Sequence, residues 1–243
     1  MERISTVLRV HFTDTKSVVV VPIIILIAAF AVSIGIGVIA QMMGISDAGL
    51  QDLNDGMKYN GAVWAMLGMG MGVGFATMGA HLSFALGMGI TRREWVLGSA
   101  LVFAIVAGAV TAVITIGKVI EVATGGWGLS IRMFDTAHTG MGPWWQTLVQ
   151  TFLILITGMT VSAMIGSIWH RWRKIGVMVL AAGVILFGLL VTAWFMLAPA
   201  SQTGAVLEAV FGMAWGGWMV VLAVIAVIAG LVWSVLTRRT EVR

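Results

Sequence analysis

The residues able to do chemistry are few and scattered. His11, His81, His138 and His170 stand in four separate segments, without the short spacings that would hold a zinc ion. Asp135 and His138 lie three residues apart, a spacing that ordinary polar loop residues explain better than a functional site does. There is no cysteine, hence no thiolate chemistry and no disulfide. No GxxxxGK[ST] phosphate loop, GxSxG elbow or HExxH helix occurs, so no nucleotide binding by that loop and no enzyme activity is expected. One dense group of charges stands out. Thr91-Arg92-Arg93-Glu94 interrupts the apolar stretch "SFALGMGITRREWVLGSALVFA", Ser83 to Ala104.

The elements that must position this group follow from composition. The chain has 243 residues, 60% hydrophobic and 10% charged, against about 25% charged in a soluble domain. So much apolar surface needs lipid as its solvent. Six uncharged runs separate the charges, from 23 residues between Glu94 and Lys118 to 35 between Asp135 and Arg171. Each exceeds the roughly 20 residues a helix needs to cross hydrocarbon. The expected fold is an all-α polytopic membrane protein with six transmembrane helices: Val18–Met43, Asn60–Leu86, Trp95–Gly117, Trp144–Ile168, Ile175–Ala198 and Gly212–Leu236. Pro22 and Pro143 open spans and Pro199 follows one, where a missing amide hydrogen is tolerated. The first apolar run is too long for a cleaved signal peptide.

Lysine and arginine orient the bundle. With a cytoplasmic N-terminus, eleven of the 14 Lys and Arg residues fall inside, and only Lys58, Lys118 and Arg132 fall outside. Both termini are then cytoplasmic, and the net charge of +4 reflects topology rather than a nucleic-acid partner. Residues 1–17 carry Ile4, Val7, Leu8 and Phe12 at helical spacing beside Arg3, Arg9 and Lys16, the pattern of an amphipathic interfacial helix. Residues 18–236 form one transmembrane domain and 237–243 a cytoplasmic tail. Trp144 and Trp145 mark one interface of the fourth span, Trp169 and Trp172 the other. Glu121, Asp135 and Glu208 are expected at or beyond the outer boundary, which leaves no carboxylate in hydrocarbon to couple an ion gradient.

Three groups of uncharged residues are candidates for packing or transport. Gly68 with Gly72, and Gly70 with Gly74, form overlapping GxxxG pairs, suited to close helix packing within a subunit or between subunits. Met66, Met69, Met71 and Met78 add adaptable side chains on the same span. On the fourth span Gln146, Gln150, Thr157 and Thr160 share one face, as helix-to-helix hydrogen bonds or as the lining of a substrate route.

The segment "LGMGITRREWVLGSAL" resembles the G-x-(S/T)-R-(R/K)-x-(F/W)-x-x-G stretch of type-2 ABC transporter permeases, through Gly89, Thr91, Arg92, Arg93, Trp95 and Gly98. In that family the segment, here Gly89 to Trp95 with Glu94, docks into an ATPase subunit. The amphipathic N-terminus is similar to the family's elbow helix, and Pro199–Phe211 to its short outer helices. The resemblance implies a permease of the cell membrane, bacterial by analogy, pairing with a second permease subunit and with an ABC ATPase that holds ATP and magnesium. This chain itself holds no cofactor. The implied cargo is a hydrophobic or amphipathic drug, lipid or peptide, exported. The outer loop Lys118–Pro143 is long for the family. The competing reading is a non-transporting membrane protein, an immunity or assembly factor that acts by binding a partner.

Overall fold

A computed structural model describes residues 2–12 and 20–239, and all regular structure among them is helical. The helices are α1 (Glu2–Phe12), α2 (Val21–Met42), α3 (Asp47–Met57), α4 (Trp64–Ala76), α5 (Ala80–Gly87), α6 (Arg92–Ala123), α7 (Trp144–Leu197), α8 (Ala200–Phe211) and α9 (Trp215–Arg239). Five stretches of described helix are long and apolar enough to cross a membrane. One of them, α7, holds 54 residues, roughly 80 Å of helix against about 30 Å of hydrocarbon. Arg173 interrupts it with φ 52° and ψ −138°. Gly176 then lies against Trp172 and Ile168. A straight helix would separate residues 168 and 176 by about 12 Å, so the chain doubles back here into limbs 144–172 and 174–197.

The core is layered about the first limb of α7, which packs on α4, α6 and α9. Val7, Met78, Leu82, Trp95, Phe103, Met159 and Trp233 form the larger buried cluster. The end of α9 reaches the start of α6, where Arg92 Nη1 donates to the carbonyl of Arg238 at 3.1 Å. Helix α1 packs on the same end of α6. Both described ends of the chain therefore meet at one end of the bundle, and the 124–143 segment closes the other.

Several sequence expectations change. The second span is not continuous: a turn at Thr77–Gly79 separates α4 from α5. The third span extends beyond Trp95–Gly117 at both ends, and its last turns include Lys118 and Glu121, buried to 4% and 2% exposure. Glu121 is thus inside a helix and inside the protein, because the loop folds back over it. Pro143 and Pro199 precede α7 and α8 as N-caps, and α9 starts at Trp215 rather than Gly212. Residues 13–19 and 240–243, with Lys16 and most of the expected tail, lie outside the described residues.

The glycine pairs separate by function. Gly70 and Gly74 are buried, and a Cβ on Gly74 would overlap Ser162 Oγ and the Met159 carbonyl of α7. Gly68 and Gly72 meet nothing. Backbone cannot yield as a side-chain tip can. Gly74→Ala is therefore expected to cost about 2 kcal/mol, and Gly72→Ala less than about 0.5 kcal/mol, in unfolding of the detergent-solubilised protein.

Candidate functional site

The bend at Thr91-Arg92-Arg93-Glu94 is built from two helix caps set back to back. Gly89 has φ +80°, the left-handed conformation that closes a helix. The Ile90 amide donates to the Ala85 carbonyl at 3.1 Å, and the Gly89 amide to that of Leu86 at 3.0 Å. That pairing is a Schellman motif with Ile90 buried behind it. Thr91 then caps α6, accepting from the Glu94 amide at 3.3 Å while its own amide donates to Glu94 at 2.8 Å. Such a reciprocal box satisfies two orphan donors of a helix start. Thr91 caps the long helix itself, so no separate short helix stands between the spans. Arg93 is exposed, and Arg92 and Glu94 are half-buried.

Trp95, expected at the lipid interface, is instead fully buried. Its Nε1 donates to the Thr77 carbonyl at 3.1 Å, at the break between α4 and α5. The break costs α4 its continuing hydrogen bonds, and an unpaired carbonyl away from water is expensive. The indole supplies a donor there, and the Thr77 hydroxyl bonds Gly74. Next to the break, Met78 Sδ accepts from Trp233 Nε1 at 3.3 Å and Thr237 Oγ1 at 3.5 Å, which adds α9. Against the face of Trp95, His11 stacks with ring centroids 4.8 Å apart and bonds Ser99 Oγ at 2.9 Å. Gly98 lets Val7 approach: a Cβ there would lie 2.6 Å from Val7 Cγ1. The basic bend is thus welded to α1, to the broken second span and to α9.

The four polar residues of the first limb of α7 do not converge on one channel. Gln150 accepts from Trp215 Nε1 at 2.8 Å and donates to the His138 carbonyl at 3.0 Å. Thr157 donates to the Leu222 carbonyl of α9 at 3.1 Å. Thr160 bonds back to Ile156 at 2.9 Å, and Gln146 lies against Gly142. Gln150 and Thr157 also border a cavity of about 470 Å³ between α4, α7 and α9. A second cavity, about 230 Å³, is walled by Met66, Met69, Val73, Val110 and Met159 with Phe12 of α1. Asp135 and His138 belong to different contacts: His138 meets the Trp64 ring, and Asp135 joins an ion network.

That network holds the end of the bundle opposite the bend and escaped the sequence reading. Glu121 accepts from the amides of Met133 (2.9 Å), Phe134 (3.1 Å) and Asp135 (2.9 Å) and from Trp127 Nε1 (3.0 Å). Lys118 Nζ meets Asp135 at 3.0 Å, the Gly142 carbonyl at 2.7 Å, Thr147 Oγ1 at 2.9 Å and the Gly140 carbonyl. Arg132 pairs with Asp135 at 3.1 Å and donates to Asn54 of α3 at 2.6 Å. The sequence signal was an opposite-charge pair three apart at the end of an apolar run, followed by Gly125-Gly126. Among the described residues no three His, Asp or Glu side chains are grouped to hold a metal ion. Compared with protein families, curated proteins and solved structures, the chain shows no significant match to any.

Two outcomes follow from this geometry. Glu121→Ala strands several buried donors, and a loss of roughly 3 kcal/mol is expected, seen as lower thermal stability with faster proteolysis within 124–143. His11 is pushed down from 6.5 to about 4 by burial and then by His81. The folded state holds it neutral, whereas the unfolded chain takes up a proton near pH 6.5. Its contribution is therefore complete above pH 6.5 and is lost as pH falls towards 4, by roughly 3 kcal/mol at most. His11→Gln is expected to flatten that part of the stability–pH curve.

Proposed function

We propose that this chain is the six-span membrane permease subunit of an ATP-binding-cassette exporter, worked by a separate ATPase subunit. The observation that carries the reading is the welded basic bend. A force applied at Arg93 has no slack to take up, because the capped turn runs through Trp95 into the broken second span and through Arg92 into α9. A bend serving topology alone needs positive charge but no such bracing.

Other features support the rest of the reading. Splitting α7 at Arg173 gives six apolar segments, and the two described ends lie together with the bend, as an even number of crossings requires. The basic bend on that end favours a cytoplasmic placement. The apolar, methionine-walled cavity suits a hydrophobic or amphipathic cargo. A second permease subunit and lipid would cover the apolar surface of limb 174–197. A partner-binding immunity or assembly factor would use the same exposed limb.

The decisive experiment isolates the native complex in mild detergent and identifies its companions by mass spectrometry. An ABC ATPase is expected among them. Arg93→Glu, alone and with Arg92→Glu, is expected to cut ATPase recovery and turnover at least tenfold while the thermal stability of the Arg93→Glu protein stays unchanged. Unchanged assembly and turnover in the double variant would refute the docking role.

A further inference from the structure

We propose that the turn between the two limbs of α7, Trp169-His170-Arg171-Trp172-Arg173-Lys174, binds the phosphate headgroup of an anionic phospholipid. The proposal rests on reading both limbs as membrane spans, and is independent of any ATPase.

Charge comes first. Three of the last four residues are cationic, and all three are exposed. No Asp or Glu occurs in the sequence between Asp135 and Glu208, and among the described residues neither Arg173 nor Lys174 has an ion pair. Phosphate oxygens match guanidinium donors in number and geometry.

The backbone decides where those charges sit. Reversal happens at a single residue, Arg173, whose positive φ a glycine would adopt without strain. An arginine there costs about 1–3 kcal/mol, yet the position carries charge. Because no loop intervenes, the backbone carries the cations close to the level of the helix ends. Trp169 and Trp172 are exposed beside them, Arg171 lies 4.8 Å from the Trp172 ring centroid, and Ile175 is 72% exposed just beyond. Indoles at that level mark the headgroup plane.

The same surface discriminates between partners. A soluble acidic protein would meet a flush turn ringed by indoles and aliphatic groups. A phospholipid satisfies both parts, its phosphate at Arg173 and Lys174 and its chains along the exposed Ile175, Met178 and Val179 of the limb that follows. The other basic turn is built differently, since Arg92 is spent on the Arg238 carbonyl.

The test titrates the full chain in detergent with phosphatidylglycerol, phosphatidylcholine or glycerol 3-phosphate. Melting temperature and lipids retained in native mass spectrometry are the readouts. Phosphatidylglycerol is expected to be retained and to raise the melting temperature; the other two are not. Arg173→Gly with Lys174→Gln relaxes the backbone, so the fold survives, and is expected to weaken phosphatidylglycerol binding at least tenfold. Arg92→Gln with Arg93→Gln is expected to leave it unchanged. The site is overturned by equal binding in the turn variant, by equal loss in the bend variant, by equal retention of phosphatidylcholine, or by an equal response to glycerol 3-phosphate. It is also overturned if the turn variant loses a soluble protein companion but keeps its lipid. Failure of the spanning reading shows separately, as release of the chain from membranes by alkaline carbonate.

Discussion

One hydrogen bond sets the terms for the end of the bundle that carries the basic bend, that from the Trp95 indole to the Thr77 carbonyl. A helix surrounded by apolar groups can break only where its freed backbone groups find partners inside the protein. Thr77–Gly79 is such a break, and Trp95 must reach it from the first turn of another helix. That reach requires the sharp turn closed by Gly89 and the cap formed by Thr91. It also buries the indole deeply enough to stack on His11, which draws α1 into the core. The local conformation at the bend, the packing of the N-terminal helix and the shape of the second span are consequences of one need for a donor.

The opposite end of the bundle answers a different need by related means. There the buried groups are ions, and backbone dipoles surround them: amides around Glu121, carbonyls around Lys118. Between the two ends the bundle has apolar walls with adaptable methionines and room to spare. Directional bonds thus cluster at the extremities, while the middle is held mainly by dispersion, with the Thr157 hydroxyl bonding the Leu222 carbonyl across it. Such a distribution concentrates whatever freedom the bundle has at mid-depth.

The sequence shows some of this architecture and hides the rest for identifiable reasons. Long uncharged runs reveal apolar helices because hydrocarbon tolerates few charges, whatever the tertiary arrangement. The break at Thr77–Gly79 is hidden: no proline marks it, and its stabilising donor comes from 18 residues away. GxxxG spacing announces close packing but cannot say which of two overlapping pairs packs. Gly70 and Gly74 meet α7, while Gly68 and Gly72 face outward. The helical arc through Gln150 and Thr157 predicts a shared side, yet their partners, Trp215 and Leu222, belong to another element. Lys118 and Glu121 looked like wet loop residues because only the returning chain buries them.

The second limb of α7 carries a mechanical consequence. Helices α4, α6 and α9 are tied to their neighbours by polar bonds near their ends, so their tilt is shared. Among the described residues, 181–194 are exposed and their one side-chain hydrogen bond, from Thr192 to the Gly188 carbonyl, stays within the helix. In a bilayer thinner than its apolar length, this limb alone leans freely, at a cost of only fractions of a kcal/mol per Å. On the spanning reading proposed above, membrane thickness acts on one strut of the molecule before it acts on the frame.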